Sequence, residues 1–278
     1  MPELPEVETI RRQLAPLVEG GVLEEIEVLD PRWSRPLAPE ELELALRGRR
    51  VQRLSRRGKY LVWELSDDMY LAQHLRMTGT VLVEPDPEPA HTRVRMLVDG
   101  RRIVISDPRR FGTGELLAGE EALERFFSSR LGLEPFDPDF TASHLRELTR
   151  RRRAPIKAVL LDQRRVAGVG NIYADEALFR AGIHPLRAAG TLSTEQLERL
   201  REGVIGSLSA GIDARGASID DFRHVDGVKG SFQDRFLVHL REGEPCGRCG
   251  SEIVKIVAAG RGTYVCESCQ RPPRRRRR

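Results

Sequence analysis

CGRCGSEIVKIVAAGRGTYVCESC, residues 246–269, contains all four cysteines of the chain, as two Cys-x-x-Cys pairs with sixteen residues between them. Two such pairs on facing turns present four thiolates to one tetrahedral ion, and a full set of protein ligands leaves no open position for water. The pattern therefore reads as one structural Zn2+ held by Cys246, Cys249, Cys266 and Cys269. Disulfides are the alternative, disfavoured by this spacing and by the reducing compartment expected for the chain. Ile253, Val254, Ile256, Val257 and Val265 are too few apolar residues to fold the segment. Metal binding must then supply the folding free energy that a core cannot. At the predicted tip, Arg261 lies between Gly260 and Gly262, where little side-chain bulk would keep a phosphate away.

The residues before this hairpin, 211–234, carry many glycines and aspartates and few apolar side chains, which predicts a mobile loop. Helical periodicity precedes it, at 143–149, 155–163, 172–181 and 194–208. The stretch AGVGNIY, 167–173, joins two of these patterns through a glycine-rich turn, with Asn171 where the second begins. Helix N-termini and glycine-exposed amides accept phosphate oxygens, so a helix-two-turns-helix element here would grip a nucleic-acid backbone without reading its sequence. An ordinary N-cap role for Asn171 is the alternative.

Residues 131–139, rich in proline and glycine, read as a domain connection. Between 22 and about 117 the pattern changes to short β-like runs at 60–65, 69–75, 80–83, 94–98 and 103–106, separated by turn residues as in a β-sandwich. Helices are predicted near 40–47 and 120–127. A first helix is signalled by Pro5, by Glu6 and Glu8 in its first turn, and by Val7, Ile10, Leu14 and Leu17. Gly20 and Gly21 should stop it, and Pro16 should kink or fray its end. No internal repeat is visible. The expected class is α+β, with an N-terminal β-sandwich domain with flanking helices over 1–130, a helical helix-two-turns-helix domain over 131–235, a zinc-finger β-hairpin over 236–271 and a basic tail over 272–278.

The chain has 278 residues, 40% hydrophobic and 32% charged, with no apolar run near the ~18 residues of a membrane span. Its start is acidic and proline-containing, unlike a secretion signal, so a cytoplasmic protein is expected. The net charge of +4 includes five arginines at 274–278; without them it is 4 − 5 = −1. Placement must therefore carry the electrostatic argument. Seven basic residues and no acid fall between Arg47 and Lys59, and Arg150 to Arg153 form an unbroken run; both suit phosphate or simply a solvated face.

Pro2 follows the initiator Met1. Removal of Met1 before a small residue would expose a secondary amine, and only at a chain end is the proline nitrogen nucleophilic. An α-amino group of pKa ~7.7–8.0 is roughly one-tenth neutral at pH 7, far more than a lysine near ~10.4. That balance suits attack on a sugar carbon.

These pieces occur together with PELPEVET at 2–9, RRGKYL at 56–61, HLRMTG at 74–79, DPRRFG at 107–112, AGVGNIYADEALF, the loop GSFQ and the ending GRGTYVCESCQ. In that order they closely resemble formamidopyrimidine-DNA glycosylase, essentially over the whole chain to Gln270. The resemblance implies a bifunctional DNA glycosylase and abasic-site lyase of base excision repair, acting on double-stranded DNA that contains oxidised bases or abasic sites. It also implies roles. Pro2 would form a Schiff base with the damaged nucleotide, Glu3 would act as general acid/base, Lys59 would contact phosphate and assist elimination, and Arg261 would hold the flanking phosphates and help the last elimination. Asn171 and His74 look like further phosphate contacts, and His91 and Arg152 match DNA-binding positions. Met77, Arg109 and Phe111 match the wedge that fills the stack once a base is rotated out.

An endonuclease VIII-like enzyme for oxidised pyrimidines shares this architecture, and a relative that keeps the fold without the chemistry is the non-enzymatic alternative. PELPEVE and the Arg-Arg-Phe wedge favour the purine enzyme. Asp220, where many relatives are expected to carry lysine or arginine, bears on lesion preference, and the Arg274 to Arg278 tail extends past the family's usual pattern. A monomer is expected.

Overall fold

The computed structural model describes residues 1–218 and 225–273; Asp220 and Arg274 to Arg278 lie outside the described residues. Two compact units are formed, the first by Met1–Ser129 with Gly211–Gln233, the second by Arg130–Ala210 with Asp234–Arg278.

The first unit is built on eight antiparallel strands: β1 (Val22–Val28), β2 (Arg49–Arg57), β3 (Tyr60–Leu65), β4 (Met69–His74), β5 (Thr80–Val83), β6 (Thr92–Val98), β7 (Arg101–Ser106) and β8 (Thr113–Ala118). They hydrogen-bond in the order β5-β7-β6-β1-β2-β3-β4-β8. The β1–β2 junction has only two residue pairs, Val22 with Arg50 and Leu23 with Arg49, so the series bends there into two four-stranded halves. Ile26, Val94, Met96 and Ile105 from one half share a core with Leu54, Leu61, Trp63 and Leu71 from the other, which is the layering of a sandwich. Burial in β6 alternates along the strand, as one buried face requires. Helix α1 (Leu4–Val18) adds Val7, Ile10 and Leu14 to this core, and α2 (Pro39–Leu46) adds Leu42 and Leu46. Pro16 lies inside α1 and does not end it; the chain turns at Gly20, whose φ of 86° favours glycine. Helix α3 (Glu120–Ser128) follows β8.

Most of the basic run at 47–59 is strand β2, whose Val51 and Leu54 are buried, Arg50 and Arg53 exposed and Arg49, Arg56 and Arg57 half-buried.

The second unit holds α4 (Ala142–Thr149), α5 (Ile156–Leu161), α6 (Asn171–Ala181) and most of α7 (Thr194–Asp213), followed by the hairpin of β9 (Val254–Ala258) and β10 (Arg261–Val265). Helix α7 runs five residues beyond the predicted 208, into the stretch read as loop. In the first unit, the described remainder of that stretch is stitched locally: Phe232 N–H donates to Gly216 O at 3.0 Å, and Gly230 N–H to Ser218 Oγ at 2.9 Å.

Candidate functional site

In the first unit, Pro2 and Glu3 are buried where α1 begins, Glu3 with 2% of its surface exposed. Glu6, one turn on, fixes that start: its Oε2 accepts from Glu3 N–H at 2.8 Å, and its Oε1 accepts from Ala217 N–H at 2.8 Å. The GSFQ residues brace the same segment, with Gln233 Oε1 accepting from Ser218 N–H at 2.9 Å. Glu8 ties α1 to β2. Burial opposes its charge, but hydrogen bonds from Arg11 and Arg12 and the nearby Arg56 more than offset this and hold the carboxyl down to about 2.

Lys59 follows Gly58 in the tight β2–β3 turn and is buried. Tyr60 pairs across the strands with His74, and their rings meet edge to face at 4.6 Å. Burial, with the positive charges of Arg76 and Lys59, pushes His74 down to about 3, so it is neutral at physiological pH. Its Nδ1 accepts from Arg76 N–H at 2.9 Å, which leaves the proton on Nε2 as a donor suited to a phosphate oxygen. The loops at 74–79 and 107–112 carry the expected wedge. Met77 is half-buried, Arg109 is exposed with its guanidinium 4.8 Å from the Phe111 ring, and Phe111 is 50% exposed. The exposure of Phe111 argues against a core role. His91 is exposed, and its carbonyl accepts from Asp107 N–H at 2.9 Å.

In the second unit, Asn171 and the hairpin tip come together: Asn171 Nδ2 donates to Gly262 O at 3.1 Å. Gly170 is the N-cap of α6, so Asn171 is the first helical residue and no capping hydrogen bond from its side chain is made. Gln163 fixes the preceding turn, accepting from Gly168 N–H at 2.9 Å and donating to Val169 O at 2.7 Å. Arg261 is exposed at the start of β10. Arg152 is exposed in a groove that it shares with Arg151, Arg153, Arg187 and Arg271, with no carboxylate among the lining residues.

The four cysteine sulfurs lie within 4.8 Å of one another, with 3.5 Å between Cys249 and Cys266 and 4.0 Å between Cys246 and Cys269. Tetrahedral thiolates at ~2.3 Å from zinc stand about 3.8 Å apart, whereas a disulfide needs about 2.05 Å. The donor set fits structural zinc, and these cysteines form that site. Phe179, Val238, Ile253 and Tyr264 pack around Cys246 and Cys266 as a small apolar cluster.

A buried polar network supports the hairpin and was not foreseen. Lys157 on α5, fully buried, donates to Asp175 Oδ1 at 2.6 Å and to Thr263 Oγ1 at 2.7 Å; Asp175 Oδ2 meets His239 Nδ1 at 2.8 Å. Thr263 donates onward to the carbonyl of Arg261 at 3.0 Å. Glu176 accepts backbone N–H groups of Leu237, Val238 and His239, while burial raises its carboxyl. The only sequence signal was a lysine and two acids within apolar helical patterns.

Comparison with known proteins agrees with this geometry. Residues 1–114 match the formamidopyrimidine-DNA glycosylase N-terminal domain, 131–223 its H2TH domain, and 243–272 the zinc finger found in FPG and IleRS. The formamidopyrimidine-DNA glycosylase of Heliobacterium modesticaldum is 45% identical over 98% of this chain and 100% of its own length; that of Bacillus licheniformis is 42% identical over the same shares. The crystal structure of MutM (FPG) from Thermus thermophilus superposes with a TM-score of 0.87 at 41% identity, covering 97% of this chain and 98% of that one. A Lactococcus lactis FPG variant in complex with Fapy-dG DNA reaches 0.91 at 38% identity, covering 98% and 100%. With its three domains matched in order and its relatives covered end to end, the chain belongs to the formamidopyrimidine-DNA glycosylase family.

Proposed function

We propose that the chain excises oxidised purines, 8-oxoguanine and formamidopyrimidines, from double-stranded DNA and then cuts the strand by β,δ-elimination. With Met1 removed, the Pro2 nitrogen attacks C1′ of the damaged nucleotide and loses its proton as the glycosidic bond breaks with its electron pair leaving on the base; the C1′–O4′ bond then opens, O4′ taking a proton, and the resulting iminium joins enzyme to sugar. Glu3 carries protons to and from the sugar. Lys59 contacts phosphate and assists elimination, and Arg261 holds the flanking phosphates and helps the final elimination. His74, His91, Arg152 and Asn171 grip the backbone, while Met77, Arg109 and Phe111 occupy the vacated stack. The zinc would be held by the four cysteines and would supply rigidity to the hairpin bearing Arg261, with no part in bond-making.

The observation that carries the reading is the burial of Pro2 and Glu3 at a helix start held by Glu6, in a chain matched end to end by this family. The carboxylate-free arginine groove supports a polyanionic partner. The tail at 274–278 would add affinity that is independent of sequence and sensitive to salt. Action as a cytoplasmic monomer belongs to the same proposal; among the described residues, no helix is long and apolar enough to cross a membrane.

Borohydride trapping on matched 8-oxoguanine and thymine-glycol duplexes tests it. The expected result is a covalent adduct at residue 2 on the purine lesion. Glu3→Gln should bind DNA normally but excise roughly 100-fold more slowly or worse. An adduct at Lys59, or none, overturns the assignment. Stronger trapping on thymine glycol favours the pyrimidine reading, which has support of its own, since a similar Lactococcus lactis FPG structure contains an oxidised pyrimidine DNA.

A further inference from the structure

Asp107 stands in the DPRRFG motif without an assigned role, yet it is 1% exposed and surrounded by donors. Its Oδ2 accepts from Phe111 N–H and Gly112 N–H, both at 2.8 Å. Its Oδ1 accepts from Arg109 N–H at 3.2 Å and, at short range, from the Thr78 hydroxyl. Thr78 Oγ1 also lies 3.4 Å from Arg109 N–H, so it joins both loops. The Asp107 main chain extends the connection, donating to His91 O at 2.9 Å and accepting from Arg93 Nε at 2.8 Å. Gly112 lets the carboxylate close on its own loop: a Cβ there would stand 3.2 Å from Asp107 Oδ2 and 3.5 Å from His74 O.

One buried carboxylate thus binds three backbone amides of the 107–112 loop and a hydroxyl of the 74–79 loop. Charge-assisted bonds of this kind are roughly twice as strong as neutral ones. Left to itself, Phe111 would fold its ring away from water. Fixed amides on either side of Arg110, which adopts φ 60°, hold it outward instead. Thr78 adjoins Met77 in sequence, so the same carboxylate restrains the second apolar wedge residue.

We infer that Asp107 is a positioning residue that fastens the 74–79 and 107–112 loops into one rigid wedge, so that Met77, Arg109 and Phe111 enter the duplex together. The inference rests on the DNA-repair reading above. It separates penetration of the duplex from chemistry on the sugar, because Asp107 touches the wedge and not Pro2, Glu3 or Lys59.

Asp107→Asn preserves shape but opposes a donor NH2 to amides that need an acceptor. The test is single-turnover excision of one lesion in a fully paired duplex and in an unpaired bubble, with 2-aminopurine beside the lesion reporting its extrusion. D107N should slow both excision and the fluorescence rise on the paired duplex by about tenfold, the scale of one lost hydrogen bond to a charged group. On the bubble, the rate should change by less than about twofold, because little unstacking is left to do. Thr78→Val should show the same selectivity more weakly, and Thr78→Ser should restore the wild-type ratio. Equal slowing on both substrates, or none on either, overturns the inference. If D107N melts well below the wild type, the Thr78→Val and Thr78→Ser pair decides it by the same ratio. Failure of the wild-type chain to excise from either substrate overturns the repair reading itself, and this inference with it.

Discussion

Arg109 and Arg261 are both displayed by short loops, but the two loops are fixed by different means. The loop of Arg109 leans on the eight-stranded unit with its large apolar core, and the Asp107 carboxylate is enough to set its shape. The hairpin of Arg261 stands on a small cluster around Phe179, Val238, Ile253 and Tyr264. It therefore depends on four thiolates at its base and on the Lys157–Asp175–Thr263 network along its side. Where apolar burial is plentiful, polar contacts only orient; where it is scarce, they must also hold the fold.

Removing the metal should break this contrast most visibly, because structural zinc contributes about 10–16 kcal/mol in zinc-finger peptides. After chelation, or in Cys249→Ser, residues 254–265 should lose amide-exchange protection while β6 and β7 keep theirs, and DNA affinity should fall with the loss of the Arg261 platform. Protection of 254–265 in metal-free protein would show that the hairpin stands without its ion.

The next largest effect should come from Asp175→Asn, which leaves the buried Lys157 opposite a neutral group. Unpaired buried charges cost about 3–5 kcal/mol, and urea unfolding should register a loss of that order. Adding Lys157→Met to Asp175→Asn removes the buried charge while the new side-chain amide keeps an acceptor for His239, so much of the stability should return, but DNA binding should stay below wild type because Thr263 has lost Lys157. Full recovery of binding would remove the network from Arg261 positioning.

The smallest effect concerns the first unit. His74 titrates near 3 when folded and near 6.5 when unfolded, so between these values the unfolded chain binds the extra proton. Its stability contribution is complete above about pH 6.5 and declines as pH falls toward 3. Between pH 7 and pH 5 the loss should be about 2 kcal/mol. His74→Gln should flatten that acid limb in urea titrations; an unchanged slope would mean that His74 protonates without strain.

How far the sequence reached follows the range of the forces involved. Short β-like runs between turn residues mark β3, β4, β5, β6 and β7, and the paired cysteines mark the metal, because in each case the signal and the structure share a few consecutive residues. β2 is hidden in the sequence because its two inward residues, Val51 and Leu54, stand three apart across a register shift in a run otherwise polar and arginine-rich, which breaks the alternation of a strand. Helix α7 reaches Asp213, past the predicted 208, because its last turn lies in the glycine- and aspartate-rich stretch from Gly211 whose composition reads as loop. Lys157 with Thr263, and Asp107 with Thr78, join residues 106 and 29 positions apart, and periodicity cannot reveal such partners. Asn171 sits at a helix start as its place in AGVGNIY predicts, but the capping role falls to Gly170, and Asn171 turns its amide to Gly262 instead.

The β9–β10 turn also bears on how the protein could be instrumented. Ala259 and Gly260 both adopt left-handed backbone, with φ of 52° and 70°, and close the hairpin with Ala258 paired to Arg261. Because the thiolates and Thr263 lock the register from below, a reporter on the outer face need not disturb it. Val257 is 71% exposed and pairs with Gly262. A dye carried there would ride a few residues from Arg261 on a scaffold whose orientation is already fixed. Fluorescence anisotropy from that position would follow the motion of the hairpin as a rigid lever, with little contribution from the slack of a tether.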